Sequence, residues 1–194
     1  MLVQTHKIIS HHIYTNIKNE LNIDLNKKFL MYGSMKPDIA LSLALRKHYK
    51  NENLDFVIDQ ILSLTEEGLN ENFISINKFS TKLGIITHFL SDFFCLPHSN
   101  REYYHDKLIQ HLNYENKLHS KFKNLNLLYK IKVPYVKDVN KENIKLVIDE
   151  LYDEYINNSQ GFENDIKHSI NISSVIGIII IKNSIVLSHA NALA

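Results

Sequence analysis

Residues 76–98 read INKFSTKLGIITHFLSDFFCLPH. Phe79, Leu83, Ile86, Phe89, Leu90 and Phe93 recur at three- and four-residue steps on overlapping faces, the pattern of a helix that is apolar on most sides and therefore buried. A helix over 76–95 is expected at the centre of the fold. Pro97 disfavours a helical Leu96 and ends it there. Two polar residues, His88 and Asp92, stand on this apolar rod. They are four apart and so lie one above the other on a single face. Burying them without partners would be costly, which favours coordination over a solvated pair. His98 follows directly after the proline.

A second pair with the same spacing, His111 and Glu115 in HLNYE, lies further along. An isolated His-x-x-x-Asp is more often a solvated helix pair than a pair of ligands. Two such pairs with a histidine-containing turn between them, all within 88–115, favour ligation. Imidazole plus carboxylate without thiolate is the donor set of hydrolytic zinc sites, which keep positions open for water and substrate. This reading carries a condition. Ser99 and Glu102 have the spacing of a capping box, and a helix started there would set His98 and His111 ~20 Å apart at 1.5 Å per residue. Part of 99–106 must therefore be a loop that folds back.

The 194 residues suit one domain, 1–194, and 44% hydrophobic residues suffice for a core. With 22 basic against 21 acidic residues, no strong polyanion-binding face or stable nucleic-acid partner is expected, although a nucleic acid remains a conceivable substrate at a metal site. The single Cys95 excludes an intramolecular disulfide and a zinc–thiolate cluster, and reads as a small core residue. The opening MLVQTHKIISHH lacks the basic and then apolar regions of a signal peptide, so a cytoplasmic location is expected. The tail 172–187, ISSVIGIIIIKNSIVL, is interrupted at Lys182 and Asn183 and falls short of the ~20 apolar residues that span a bilayer. It reads as a buried C-terminal helix.

Five glycines, three prolines and the helical periodicity predict an all-α bundle. Ile9, Ile13, Ile17 and Leu21 mark a helix over 5–22. Residues 29–38, FLMYGSMKPD, carry a glycine and a proline and are expected to form a loop. Helices follow over 39–48 and 54–66, the second with Val57, Ile58, Ile61 and Leu62 inward and Gly68 as its stop. Others are expected over 105–122, over 141–157 with Ile144, Val147, Ile148, Leu151 and Tyr155 on one face, and over 162–188. A loop holds Pro134.

With these residues in view, the chain resembles the zinc-dependent phospholipase C family, which shares its fold with single-strand-specific nucleases. The family signature, His-aromatic-Leu-small-Asp, a proline turn ending in His, then His-x-x-Tyr-Glu, is followed by His88-Phe89-Leu90-Ser91-Asp92, Leu96-Pro97-His98 and His111-Leu112-Asn113-Tyr114-Glu115. Upstream, His6 in THKII, Asp38 in YGSMKPDI and His48 in RKHYK stand in the family's order, so the resemblance spans about 6–115. It implies an all-α fold and two to three zinc ions. One would be held by His98, His111 and Glu115 and another by Asp38, His48, His88 and Asp92, with Asp92 bridging to a third at His6. In the family an amino-terminal Trp gives its amine and carbonyl to that third ion. This chain has no Trp and begins five residues before His6, so the third site is expected to be the weakest.

From the residues themselves, Asp38 after a proline also suits a helix cap, and His48 beside Arg46 and Lys47 suits the surface. His11 and His12 are alternatives to His6. His119, four beyond Glu115, is a spare candidate, while His105, His168 and His189 read as solvated or structural.

The implied activity is phosphodiester hydrolysis of the phospholipase C type by a metal-activated water, with Asp38 taking its proton. The substrate would be a phospholipid or other phosphodiester, with transient contact to a membrane surface. The alternatives are a nuclease or nucleotidase on the same metals, or a metal-binding module without catalysis.

Overall fold

The computed structural model describes residues 1–68, 74–100, 107–125 and 131–192, with side chains given as far as 184. Its elements are α1 (Val3–Leu21), α2 (Lys27–Ile39), α3 (Leu41–Ala44), α4 (Lys50–Glu67), α5 (Ile76–Phe93), α6 (Leu96–Ser99), α7 (Leu108–Lys123), α8 (Lys141–Asn157) and α9 (Phe162–Ala192). No strand occurs among the described residues, so the fold is all-α as expected.

The most apolar stretch becomes the axis. α5 starts at Ser75, whose Oγ accepts the Lys78 N–H, and buries Phe79, Leu83, Ile86, Phe89, Leu90 and Phe93 together with His88 and Asp92. α1, α2, α4 and α9 pack around it. Cys95 is buried in this core. The apolar tail runs along the core as α9, with Ile166, Ile170, Val175, Ile176 and Ile178 to Ile181 all buried. No helix among the described residues is long and apolar enough to cross a membrane.

One expectation is corrected. Residues 29–38 form most of α2 rather than a loop. The glycine that suggested a break is instead a contact point. A Cβ on Gly33 would stand 2.1 Å from the Thr81 carbonyl oxygen, and one on Gly84 would stand 2.3 Å from that of Leu30. The two glycines let the backbones of α2 and α5 touch, and that packing stabilises the helix. Asn26 caps its start by accepting the N–H groups of Lys28 and Phe29. Pro37 falls in the last turn, where its missing N–H removes one bond near the end.

The boundaries of two other helices also shift. The helix expected over 39–48 shrinks to the four residues of α3, and α4 starts at Lys50. Gly68 ends α4 with φ +67°. Ser99 closes the short α6, with Asn100 as its C-cap, and Glu102, the other half of the expected capping box, lies outside the described residues.

Candidate metal centre

The candidate ligands come from separate elements that meet beside α5. His6 continues the inward stripe of Ile9, Ile13 and Ile17 on α1 and is buried. Asp38 lies in the last turn of α2, and His48 precedes α4. α5 supplies His88 and Asp92, α6 His98, and α7 His111 and Glu115. All eight residues singled out in the sequence are thereby gathered. Three groups have ligand atoms close enough to share an ion: His6, His88 and Asp92; Asp38, His48 and His88; and His98, His111 and Glu115.

The fold-back required of 99–106 is met at its ends. His98 Nε2 and His111 Nε2 lie 3.1 and 2.7 Å from the same oxygen, Glu115 Oε1. Their rings are 5.1 Å apart. The two oxygens of Asp92 divide between groups. Oδ2 is 2.7 Å from His48 Nδ1 and 3.4 Å from His88 Nε2, whereas Oδ1 is 3.3 Å from His6 Nε2 and 4.0 Å from His98 Nε2.

Hydrogen bonds from outside the cluster orient the imidazoles. The His88 Nδ1–H donates to the Ser34 carbonyl at 2.8 Å, which leaves a lone pair on Nε2. That atom faces Asp92 and, at 3.7 Å, Asp38 Oδ1. Burial, the largest effect, and neighbouring His6 push the His88 pKa well below its usual value, so the ring is neutral. Ser91 Oγ donates to the His88 carbonyl and so accepts from His6 Nδ1–H at 3.2 Å. With this assignment His6 Nε2 also presents a lone pair to the cluster. It has no hydrogen-bond partner, nor has the buried Asp38 Oδ2. A buried imidazole lone pair and a carboxylate oxygen left without hydrogen-bond partners, beside further carboxylate oxygens, fit a metal cation.

An amine reaches the cluster from the first residue. The Met1 amino group is buried and stands 2.6 Å from Asp92 Oδ1, 3.1 Å from His98 Nε2 and 3.2 Å from Glu115 Oε1. Burial acts to lower its pKa, but Asp92 and Glu115 outweigh that and push it up to about 12. Its positive charge stands where the same oxygens would favour a metal cation. Burial would raise the pKa values of Asp92 and Glu115, yet this amine and the imidazoles hold both well below the carboxylate range. Asp38 is the exception: its burial, the largest effect, raises its pKa.

Among the remaining histidines, His119 Nδ1 meets Thr5 Oγ1 at 3.0 Å and joins none of the three groups. His11 and His12 also lie outside them, and His168 is buried on α9 beside Asn158. His105 and the side chain of His189 lie outside the described residues.

The family model of zinc-dependent phospholipase C matches residues 5–162. The chain belongs to the zinc-dependent phospholipase C family. No curated protein and no solved structure matches it. The matched span includes all eight gathered residues, and the all-helical fold and the imidazole–carboxylate clusters agree with this zinc-dependent family. At family level the chain is thus a zinc-dependent phosphodiesterase.

Proposed function

We propose that residues 1–194 form one phospholipase C-type domain that hydrolyses the bond between a diacylglycerol-like alcohol and its head-group phosphate. His98, His111 and Glu115 would hold one zinc ion, and Asp38, His48, His88 and Asp92 a second. A third would lie between Asp92 and His6. Bound zinc polarises phosphoryl oxygens and makes a water more acidic. The chain's part is to hold these groups in place and to receive the water's proton at Asp38, whose raised pKa and partial exposure suit a base that faces the opening.

The observation that favours a lipid over a nucleic acid is what surrounds that opening. His6, His88 and Asp92 are closed off, whereas the Asp38, His48 and His111 side chains are 20%, 15% and 19% exposed, so solvent reaches the cluster on their side. The segment between Asp38 and His48 carries Ile39, Leu41 and Leu45, and Leu41 and Leu45 are 82% and 84% exposed. On α7, Leu108, Ile109 and Leu112 flank His111 and are also exposed, with Leu108 on the same face as His111 and Glu115. Exposed aliphatic side chains beside the opening suit acyl chains at a membrane surface.

The test is turnover by zinc-quantified protein of phosphatidylcholine vesicles, a water-soluble short-chain phosphatidylcholine and a single-stranded DNA oligonucleotide. Both lipids should be cleaved and the oligonucleotide should not. Preferential cleavage of the oligonucleotide would establish the nuclease reading, and no cleavage by fully loaded protein the non-catalytic one. The Leu41→Ser/Leu45→Ser variant should lose roughly tenfold on vesicles, about 1–2 kcal/mol of lost apolar contact, and almost nothing on the soluble lipid. Equal losses on both would show that the apolar rim does not engage the lipid surface.

The third ion yields a separate expectation. His6→Ala should leave two zinc ions bound, as counted by elemental analysis, and reduce activity about tenfold or more. Loss of all zinc from that variant would refute the division into groups.

A further inference from the structure

Asp165 lies in the first turn of α9, beyond the span matched by the family model, and is fully buried. Its Oδ2 accepts the backbone N–H of Leu96 at 3.0 Å and the Tyr114 hydroxyl at 2.9 Å, and its Oδ1 accepts the Tyr155 hydroxyl at 2.9 Å. Tyr155 Oη in turn lies 3.4 Å from Ser99 Oγ. No cation is among these contacts. A buried carboxylate satisfied by neutral donors is an expensive way to fill space. Its donors come from Cys95 and the α6 turn, from α7 and from α8, so that a single carboxylate ties three helices together.

Leu96 is two residues before His98, and Tyr114 directly precedes Glu115. One oxygen therefore joins the two stretches that carry His98 and Glu115. We propose that Asp165 is the positioning residue of the His98, His111 and Glu115 group, clamping the α6 turn against α7 so that these ligands converge on one ion. The proposal rests on the metal reading above but not on the identity of the substrate. Burial, the largest effect, raises the Asp165 pKa to about 6 while the Leu96, Tyr155 and Tyr114 donors lower it, so at neutral pH the group is an ionised acceptor.

The experiment is zinc titration of the full chain, with cobalt(II) absorption as the spectroscopic report of ligand geometry and no substrate present. Wild-type protein should bind at least two ions. Asp165→Ala should weaken one of them by about 10–100-fold and alter one component of the cobalt spectrum, with helical circular dichroism retained. Asp165→Asn keeps an oxygen for Leu96 and Tyr114 and turns an amide N–H towards Tyr155 Oη, so it should restore most of that affinity. Tyr114→Phe removes one bond and keeps the carboxylate, and should weaken the same ion several-fold. It carries the test if Asp165→Ala does not fold. Wild-type affinity in Asp165→Ala or Tyr114→Phe would overturn the proposal, as would Asp165→Asn binding no better than Asp165→Ala. A wild-type protein that binds no zinc would overturn the metal reading and this proposal together, whereas zinc binding without lipid turnover would overturn only the function proposed above.

Discussion

Asp92→Asn is expected to lower hydrolysis by two to three orders of magnitude and to reduce bound zinc by at least one ion per chain. One Asp92 oxygen faces His48 and His88, and the other faces His6 and the Met1 amine. An amide replaces one of these oxygens with a donor and removes the charge, so at least two neighbours lose an acceptor at once. Breaking a buried charge pair in this way costs about 3–5 kcal/mol, which corresponds to that loss. His11→Asn on the outer face of α1 should change neither quantity. Zinc analysis and turnover of a soluble phosphodiester on the two variants check this, and comparable losses in both would show the ligand assignment to be wrong.

Gly84→Ala should destabilise the protein despite a better helix former in mid-helix. The propensity gain is about 1 kcal/mol. Against it, the new Cβ would lie 2.3 Å from the Leu30 carbonyl oxygen and 2.6 Å from the Ser34 nitrogen, both backbone atoms of α2 that cannot swing aside. Forcing the helices apart costs about 3 kcal/mol or more, so a net loss of about 2 kcal/mol is expected in chemical denaturation. The same displacement moves the Ser34 carbonyl away from His88 Nδ1, so zinc affinity should fall as well. Gly177→Ala is the comparison, because its Cβ would meet side chains alone, the tip of Ile17 at 3.0 Å, which can give, and Leu83 at an ordinary 3.7 Å. A stabilised Gly84→Ala protein would mean that α2 and α5 do not touch at these glycines.

Much of this was legible in the sequence because the relevant signals are local. The stripe on α5 and the four-residue pairs at 88/92 and 111/115 are properties of a single helix, and they reappear in the structure with nearly the expected bounds. α2 was not legible. Gly33 and Pro37 carry the ordinary marks of a turn, and what makes them helical is a partner helix more than 40 residues away. The return of the chain after His98 was likewise only a requirement of the metal reading. Three contributors had no sequence signal. Ser34 and Ser91 orient His88 and His6 through single hydrogen bonds, and Asp165 reads as one more acidic residue at a helix start.

The chain has one cysteine and no disulfide to restrain its unfolded ensemble, yet residues as far apart as His6 and Asp92 share one cluster. Ions held there would act as reversible cross-links and close loops as long as those in disulfide-stapled proteins, whose closure removes conformational freedom from the denatured chain. The denaturation temperature would then be a property of the solution as well as of the chain. For each ion held, every tenfold rise in free zinc above the dissociation constant should add about 1.4 kcal/mol to the unfolding free energy. A chelator would withdraw that stabilisation without altering a covalent bond.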